Sequence, residues 1–569
     1  MTALLTDNLP LLAGSPNGIK KLRELILELA VRGKLVPQDP NDEPASELLK
    51  RIAEEKARSI VDGTTKKQKQ LSGITQDETP FEVPAGWCWV RMGAVGETNI
   101  GLTYSPSDVG HIGIPVLRSS NVQKGQIDLS DLVRVDISVK DSALVQEGDL
   151  LICARNGSKA LVGKAARISN LTEPMAFGAF MAIFRSQLNP YLLRFISSPL
   201  FRKVIDDVNT TTINQITQNN LRTTLLPLPP LAEQHRIVAK VDELMALCDC
   251  LETRQTDADS AHTQLVQALL ESLTQARDAG DFAQSWQRLA EHFHTLFTTE
   301  SSIDALKQTL LQLAVMGKLV QQDPSDEPAS ELLKRIAEEK ARLVVEGKIK
   351  KQKPLPEIGE EEKPLELPKE WGWSRLGDLL LEAYTGIDRG KSLQGMHLQY
   401  PYFKMNNILN QGGYSTSEMT RVDAASGDVE KYRLSVGDLL FNTRNSRELV
   451  GKTCVIQSLP EEIVLYNNNI LRCKFLKGVL PELVDLWLRS ITGGALLESI
   501  KSNTTNVCAI YQGNLFDVLC PVIPSGEQHR IVAKVDQLMA LCDQLKARLN
   551  QARQVHEQLA NALVEQAVA

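Results

Sequence analysis

The sequence predicts an α/β plus all-α chain in which two globular α/β domains are separated by long helices. First, residues 233–249 return at 527–543 with one change. Second, residues 29–58 return at 313–342 with three changes. Third, the stretches between these repeats consist of short β-rich runs broken by Gly, Asn and Pro. Near-identical helical segments therefore join divergent globular segments, which indicates duplication of a whole unit.

An N-terminal helical segment is predicted at 1–62, followed by a polar linker at 63–80. Asp42 to Ser46 is typical of a helix start, with a capping Asp, an acid in the first turn and an early Pro. The residues from Leu48 to Ala53 then supply an apolar stripe. The linker contains a Lys-rich run, which is either a phosphate contact or a solvated segment, and we favour the solvated segment.

The two globular domains are predicted at 81–230 and 365–525, and a second linker at 347–364 precedes the second domain. Expected strands include 114–117, 149–153 and 438–442, and expected helical pieces include 191–204 and 481–488. The domains match only in patches. The matched patches are Gly-Asp-Leu-Leu at 148–151 and 437–440, Arg-Asn at 155–156 and 444–445, Leu-Val-Gly-Lys at 161–164 and 449–452, and Thr-Thr at 210–211 and 504–505. Constant helices with divergent globular domains favour a recognition protein whose two domains bind different things.

A central helical spacer region is predicted at 231–346 and a C-terminal helical spacer at 526–569. Each long helix follows a Pro-rich run, which ends the preceding element. Apolar residues then recur at spacings of four and three, as in a coiled-coil heptad. The residues that we assign to the spacer and to partner binding are Ile237, Val241, Leu244, Leu251, Ile531, Val535, Leu538 and Leu545. At about 1.5 Å per residue, helices over 233–277 and 527–566 would each be about 60 Å long.

Composition indicates an ordinary globular protein, with 43% apolar and 23% charged residues. The net charge is −7, but residues 81–230 carry 14 basic against 12 acidic side chains and residues 365–525 carry 16 against 17. The acidity therefore belongs to the helices. The nine cysteines form no Cys-x-x-Cys pair, which predicts free buried thiols rather than a metal site. No apolar run approaches a membrane span, so we expect a cytoplasmic protein without membrane contact.

Catalytic motifs are not found. The segment 157–165 resembles a phosphate loop but has one residue too many between its glycines, and Ala165 stands where a Mg²⁺-binding hydroxyl is required. Asn189-Pro-Tyr191 lacks one proline of an adenine methyltransferase motif and is better explained as a turn that opens a helix. His235 and His529 begin helices among charged residues, which favours capping or partner contact. We therefore predict no catalytic residue and no metal site.

The Pro-rich runs and the repeats that follow them carry a family resemblance. Pro-Leu-Pro-Pro-Leu-Ala-Glu-Gln-His-Arg-Ile-Val at 227–238, its partner at 521–532, and the Glu-Pro-Ala-Ser-Glu-Leu-Leu repeats at 43–49 and 327–333 are similar to the specificity subunit of type I restriction-modification systems. The resemblance covers essentially the full length of the chain.

The resemblance implies that each globular domain is a target-recognition domain for one half of a bipartite site in double-stranded DNA. It also implies duplicated, circularly arranged repeats that place the domains about a pseudo-two-fold axis, separated by a long antiparallel coiled-coil helix pair. Two methyltransferase (modification) subunits would dock on the helices, and restriction/translocase subunits would join through them. S-adenosylmethionine would belong to the methyltransferase subunits, and ATP and Mg²⁺ to the restriction subunits, with no cofactor in this chain. The chain itself would be non-catalytic and would direct adenine methylation and ATP-dependent restriction at an asymmetric target.

DNA contacts require Arg or Lys for guanine edges, Asn or Gln for adenine, and Lys, Ser or Thr for phosphate. Matched polar positions are expected to contact the DNA backbone, and unmatched ones to read bases. The candidates in the first domain are Arg118, Ser119, Asn121, Arg155, Asn156, Lys159, Lys164, Thr211, Thr212, Asn214 and Gln215. The candidates in the second domain are Lys404, Asn406, Asn407, Arg444, Asn445, Arg447, Lys452, Thr504, Thr505 and Asn506.

Two alternatives stay open from the residues alone. The first is an enzyme with its own methylation or cleavage site, although no motif qualifies. The second is a coiled-coil adaptor or a DNA reader of another defence system, which would bind a different partner through its helices.

Overall fold

The computed structural model describes residues 9–62, 71–208, 214–351, 353–503 and 507–568. The chain divides into two compact units. Unit 1 contains Met1–Ala258 and Arg553–Ala569, and unit 2 contains Asp259–Ala552. Each unit therefore combines one α/β domain with helical segments that are distant in sequence.

The first helices in the described part of unit 1 are α1 (Leu9–Gly14), α2 (Gly18–Val31) and α3 (Ala45–Val61). Helix α2 is mostly buried, whereas α3 is amphipathic and buries only its apolar stripe. The Lys56 ammonium of α3 donates hydrogen bonds to the carbonyl oxygens of Gly93 (2.8 Å) and Ala94 (3.1 Å). This cation therefore attaches α3 to the α/β domain.

The first α/β domain is closed by β1 (Cys88–Arg91) and β12 (Leu225–Leu228), which pair in antiparallel register. Between them the chain forms two four-stranded sheets, one in the order β2-β11-β8-β9 and the other in the order β10-β4-β7-β3, and a short β5-β6 hairpin. The strands between the closing pair are β2 (Glu97–Ile100), β3 (Val109–Gly110), β4 (Ile114–Leu117), β5 (Val122–Gln123), β6 (Gln126–Ile127), β7 (Val133–Val135), β8 (Leu150–Cys153), β9 (Ala165–Arg167), β10 (Ala176–Phe177) and β11 (Met181–Arg185). The helices of this domain are α4 (Met92–Val95), α5 (Asn189–Ile196), α6 (Pro199–Val208) and α7 (Gln218–Thr223).

Strand β8 shows why the continuous apolar run Leu-Leu-Ile-Cys forms a central strand. Its alternate residues are buried in two different clusters, Leu150 and Ile152 in one and Leu151 and Cys153 in the other. A strand covered on both faces has no polar face to show in its sequence. The helical piece expected at 191–204 is two helices, because Pro199 removes a backbone donor and starts a new helix.

Unit 2 repeats this plan. Its first helices are α8 (Leu231–Thr274), which starts in unit 1, α9 (Ala279–Ala290), α10 (Phe293–Leu296), α11 (Glu300–Val315) and α12 (Ala329–Val345). Its α/β domain contains α13 (Leu376–Leu379), α14 (Ser426–Tyr432), α15 (Pro481–Arg489), α16 (Ile491–Ser499) and α17 (Gln512–Phe516), and the chain ends in α18 (Ser525–Val568).

The strands of the second α/β domain are β13 (Gly372–Arg375), β14 (Leu380–Thr385), β15 (Tyr400–Phe403), β16 (Thr420–Val422), β17 (Leu439–Asn442), β18 (Arg444–Asn445), β19 (Thr453–Val455), β20 (Leu465–Tyr466), β21 (Ile470–Phe475), β22 (Ser502–Asn503), β23 (Cys508–Ala509) and β24 (Leu519–Val522). They form the closing pair β13-β24 and the sheets β14-β21-β17-β19, β16-β15-β20 and β18-β23-β22. The order β14-β21-β17-β19 corresponds to β2-β11-β8-β9 of the first domain. The two domains therefore share a backbone plan that their sequences match only in patches.

The long helices α8 and α18 have 44 residues each. They begin two residues earlier than expected, directly after Pro230 and Pro524. Helix α8 ends at Thr274 rather than 277, because the Asp278 carboxylate accepts hydrogen bonds from the backbone of Gly280 and Asp281 and caps a separate helix.

The start of each long helix is held by the same contacts. The Trp87 indole donates to Glu233 at 2.8 Å, and Trp371 donates to Glu527 at 2.9 Å. The arginine three residues after each glutamate pairs with an aspartate, as in the Arg530–Asp326 contact of 2.5 Å and in the Arg236–Asp42 contact of 2.6 Å. The repeated Glu-Gln-His-Arg sequence therefore attaches each long helix to its own unit.

Candidate nucleic-acid interface

Two polar loops of the first domain lie side by side. The loop after β4 and the loop after β8 are joined by a contact of 3.4 Å between the Asn156 amide nitrogen and the Ser119 hydroxyl. The Lys164 ammonium donates to the Gln123 amide oxygen at 3.2 Å. Sequence separation alone does not predict this proximity, which comes from the packing of the two four-stranded sheets.

A third segment completes this surface. The Asn156 backbone donates to the Asn214 carbonyl oxygen at 3.2 Å, and the Asn214 side chain donates to the Gly157 carbonyl oxygen at 3.0 Å. Arg155 and Gln215 form an isolated antiparallel bridge. Candidate residues from three separate segments therefore share one face of the first domain.

The cations of this face have weak intramolecular partners. Arg118 lies 3.0 Å from Asp131, and Lys159 lies 3.1 Å from Asp206. Both pairs are exposed, and exposed ion pairs contribute about 0–1 kcal/mol. Such cations can exchange a carboxylate for a DNA phosphate at small cost.

The corresponding face of the second domain is more tightly connected. The Lys452 ammonium donates to the Ile408 carbonyl oxygen at 2.6 Å, and partial burial lowers the pKa of this lysine. Arg447 pairs with Glu498, which also contacts Lys501 at 2.8 Å.

Arg444 and Asn445 form β18, paired with Ala509 and Cys508 of β23. Asn406 is exposed. The Lys404 ammonium donates to the Gln394 amide oxygen at 3.3 Å.

Asn121 and Asn407 are corrections to the predicted set of base contacts. Asn121 is 1% exposed; its amide oxygen accepts from the Arg118 backbone and its amide nitrogen donates to the carbonyl oxygens of Asp128 and Asp131. Asn407 is 3% exposed and makes the equivalent bonds. Both side chains are buried and hold a loop in shape through hydrogen bonds to its backbone.

These bonds also correct the division into matched and unmatched positions. Arg118 follows β4 and Lys404 follows β15, each three residues before its buried asparagine. The segments 118–121 and 404–407 are therefore structurally equivalent, although few of their residues are identical. Candidates that we expected to be unmatched therefore lie at equivalent positions of the backbone plan that both domains share, which we call the shared frame.

Thr211, Thr212, Thr504, Thr505 and Asn506 lie outside the described residues. Their role as DNA contacts stays a prediction, as it does for the exposed candidates described above.

The residues of the heptad seam pack against short helices of the same chain. Ile237 and Val241 are buried in one cluster with residues of α2, and Leu244 and Leu251 pack against that cluster. In unit 2, Ile531, Val535 and Leu538 are buried with residues of α11, and Leu545 packs against them. The buried part of the seam is thus covered within the chain, whereas Leu244, Leu251 and Leu545 are only partly buried. Binding of another subunit by the seam residues stays a prediction.

Phe180 is a surface residue that the sequence reasoning missed. It is 60% exposed, and the Arg155 guanidinium lies 5.3 Å from the centre of its ring. Phe180 stands in an apolar run with Phe177 and Phe184, both of which are fully buried, so the residue type gives no signal of exposure. A possible signal was its place in a Gly-Ala-Phe turn between two strands.

Within the described residues, no group of three or more His, Cys, Asp or Glu side chains could hold a metal ion. All nine cysteines, each of which is described, are free thiols, and seven are buried. No helix in the described part of the chain is long and apolar enough to cross a membrane.

The chain is similar to several known proteins. A family model described as the type I restriction modification DNA specificity domain matches residues 84–258. The type I restriction enzyme EcoAI specificity subunit of Escherichia coli is 39% identical over 576 residues, which cover 97% of this chain and 94% of the relative. The EcoEI specificity subunit of E. coli is 37% identical over 572 residues with the same coverage. A chain from a solved structure of a type I R-M system aligns with a TM-score of 0.49 at 18% identity, over 86% of this chain and 99% of that chain.

The two α/β domains share a common plan, and the chain is 39% and 37% identical to the two E. coli subunits over 97% of its length. The chain therefore belongs to the family of type I restriction-modification specificity subunits and is a DNA sequence-recognition subunit.

Proposed function

We propose that this chain is the non-catalytic subunit that selects a bipartite, asymmetric DNA target, and that partner subunits methylate adenine and restrict DNA at that target. The observation that carries the proposal is that both domains build one backbone frame but present different side chains on it. Equivalent backbone positions allow each domain to contact the DNA backbone in the same way, and different side chains select different bases. The two half-sites should therefore differ in sequence.

Two copies of a methyltransferase subunit are the partners that this duplication favours. The segments 29–58 and 313–342 share exposed charged residues, such as Arg51 and Arg335, that form only surface contacts. Near-identical surfaces on two units suit two identical partners. We assign S-adenosylmethionine to those subunits, and ATP and Mg²⁺ to restriction subunits that join through them.

The test is to co-express this chain with the methyltransferase subunit in a host without DNA methylation and to map N6-methyladenine across the genome. We expect one interrupted motif with two different halves. A purified chain that methylates or cuts DNA without partners would contradict the non-catalytic assignment, and a symmetric motif would contradict the assignment of different targets to the two domains.

A further inference from the structure

Phe180 and Asn469 occupy the same position on the shared frame. The Phe180 carbonyl oxygen accepts hydrogen bonds from the backbone of Ala154 (2.9 Å) and Arg155 (3.0 Å). The Asn469 carbonyl oxygen accepts from the Thr443 backbone (2.8 Å) and from the Thr443 hydroxyl (2.9 Å). The turn that carries each residue is thus fixed by the end of the central strand beside it.

An arginine accompanies this position in both domains. Arg155 follows Ala154, and Arg444 follows Thr443, so each arginine lies directly after the residue that binds the turn. Arg155 forms an isolated bridge with Gln215, and Arg444 pairs with Ala509. The segment that contains Gln215 in the first domain and the segment that contains Ala509 in the second therefore also lie at equivalent places. The arginine is constant, whereas the residue on the adjacent turn is Phe180 in the first domain and Asn469 in the second.

The exposure of Phe180 is unusual for a phenylalanine on a rigid frame. A phenylalanine that is 60% exposed leaves apolar surface in water, although Phe177 and Phe184 of the same run are fully buried. Its backbone is fixed and its ring lies beside the Arg155 guanidinium, a cation–π arrangement. A preorganised apolar group beside a cation suits contact with a DNA base next to a phosphate.

We propose that Phe180 and Asn469 are specificity-determining residues, one for each half-site. Phe180 contacts the methyl group of a thymine, and Asn469 hydrogen-bonds the edge of an adenine, which are the base features that these side chains recognise in the major groove. Arg155 and Arg444 hold the neighbouring phosphates. This inference rests on the proposed function, since it assumes that each domain contacts its own half-site.

The test uses the full chain in complex with its methyltransferase subunit. Motifs are mapped by sequencing of N6-methyladenine for the wild type, Phe180→Ala, Phe180→Asn and Asn469→Ala. Val61→Ala is the control, because Val61 is 85% exposed but lies on α3 outside the α/β domains. Binding to cognate duplexes and to duplexes with one changed base is measured in parallel.

We expect Phe180→Ala to relax one base position in one half of the motif and to lower discrimination there by about tenfold, the size of one lost base contact. Asn469→Ala should relax one position in the other half, Phe180→Asn should change the preferred base, and Val61→Ala should leave the motif unchanged. A wild-type motif that survives Phe180→Ala and Phe180→Asn unchanged would overturn this inference alone. A wild-type complex that methylates no motif would overturn the proposed function as well. Loss of both halves in Phe180→Ala, together with a lower Tm, would assign Phe180 to folding and also overturn the inference.

Discussion

At the scale of single residues, the interface depends on side chains whose type does not reveal their role. Asn121 and Asn407 are buried and bond only to backbone, whereas Asn406, next to Asn407, is exposed. An amide suits both situations because it can donate and accept hydrogen bonds. Its role is decided by which backbone groups the fold brings to it.

The first prediction compares these neighbouring asparagines. Asn407→Ala should destabilise the chain by about 1–3 kcal/mol, because it leaves buried backbone groups without partners. Asn406→Ala should change stability by less than about 0.5 kcal/mol, as is usual for surface positions. Thermal unfolding of both variants measures the difference, and equal Tm values would contradict the structural role of Asn407.

A second prediction concerns Glu233 and Glu527. Burial raises the pKa of both carboxyls above the ordinary value of 4.5, although the hydrogen bonds from Trp87 and Trp371 act in the opposite direction. The folded chain therefore holds these protons more tightly than the unfolded chain. Their contribution to stability is present below the unfolded pKa and is lost as pH rises through the raised folded pKa.

Changing both glutamates to Gln should remove this loss of stability with rising pH, since the amide oxygen still accepts the hydrogen bond from the indole and carries no charge. Denaturant midpoints between pH 4 and pH 8 are the measurement. The double variant should show a smaller decline across that range than the wild type. Equal declines of the denaturant midpoint with pH in the wild type and the double variant would contradict the raised pKa of Glu233 and Glu527.

At the scale of elements, the first part of each long helix is buried in the unit in which that helix begins. Leu538 on α18 is 4% exposed and belongs to a cluster with Ile303 and Leu306 of α11. Leu541, less than one turn further along, is 37% exposed. The heptad spacing identifies the apolar seam, but the short helices α2 and α11 are what cover it.

The third prediction follows from this pair of leucines. Leu538→Ala should cost about 2–5 kcal/mol, the range for a buried leucine. Leu541→Ala should stay within about 0.5 kcal/mol. Circular dichroism at 222 nm during heating reports both, and an equal shift in Tm would mean that the seam is not buried as described.

At the scale of the whole molecule, each α/β domain is an insertion between helical segments. The strands β1 and β12 close the first domain, with Arg91 opposite Leu225. Everything that differs between recognition surfaces lies between those strands. The helices and the closing strands can therefore stay constant while the inserted domain changes.

The fourth prediction is that exchanging residues 92–224 for the corresponding segment of another family member changes one half of the DNA target and leaves the other half and the gap unchanged. The physical reason is that both closing strands and all long helices are retained. Methylation mapping of the chimera with its methyltransferase subunit is the measurement. A change in both halves would contradict the independence of the two domains.

The sequence by itself determined the duplication, the two α/β domains, the starts of the long helices to within two residues, and the family. These features are local or repeated, since a proline run, a heptad spacing and a near-identical segment can be recognised without knowing what they contact. Only the tertiary structure decided that the seam is covered by the preceding short helices, that Asn121 and Asn407 are structural, and that Phe180 is exposed. Each of these depends on contacts between residues far apart in the chain, where burial and hydrogen-bond partners, rather than residue type, assign the role.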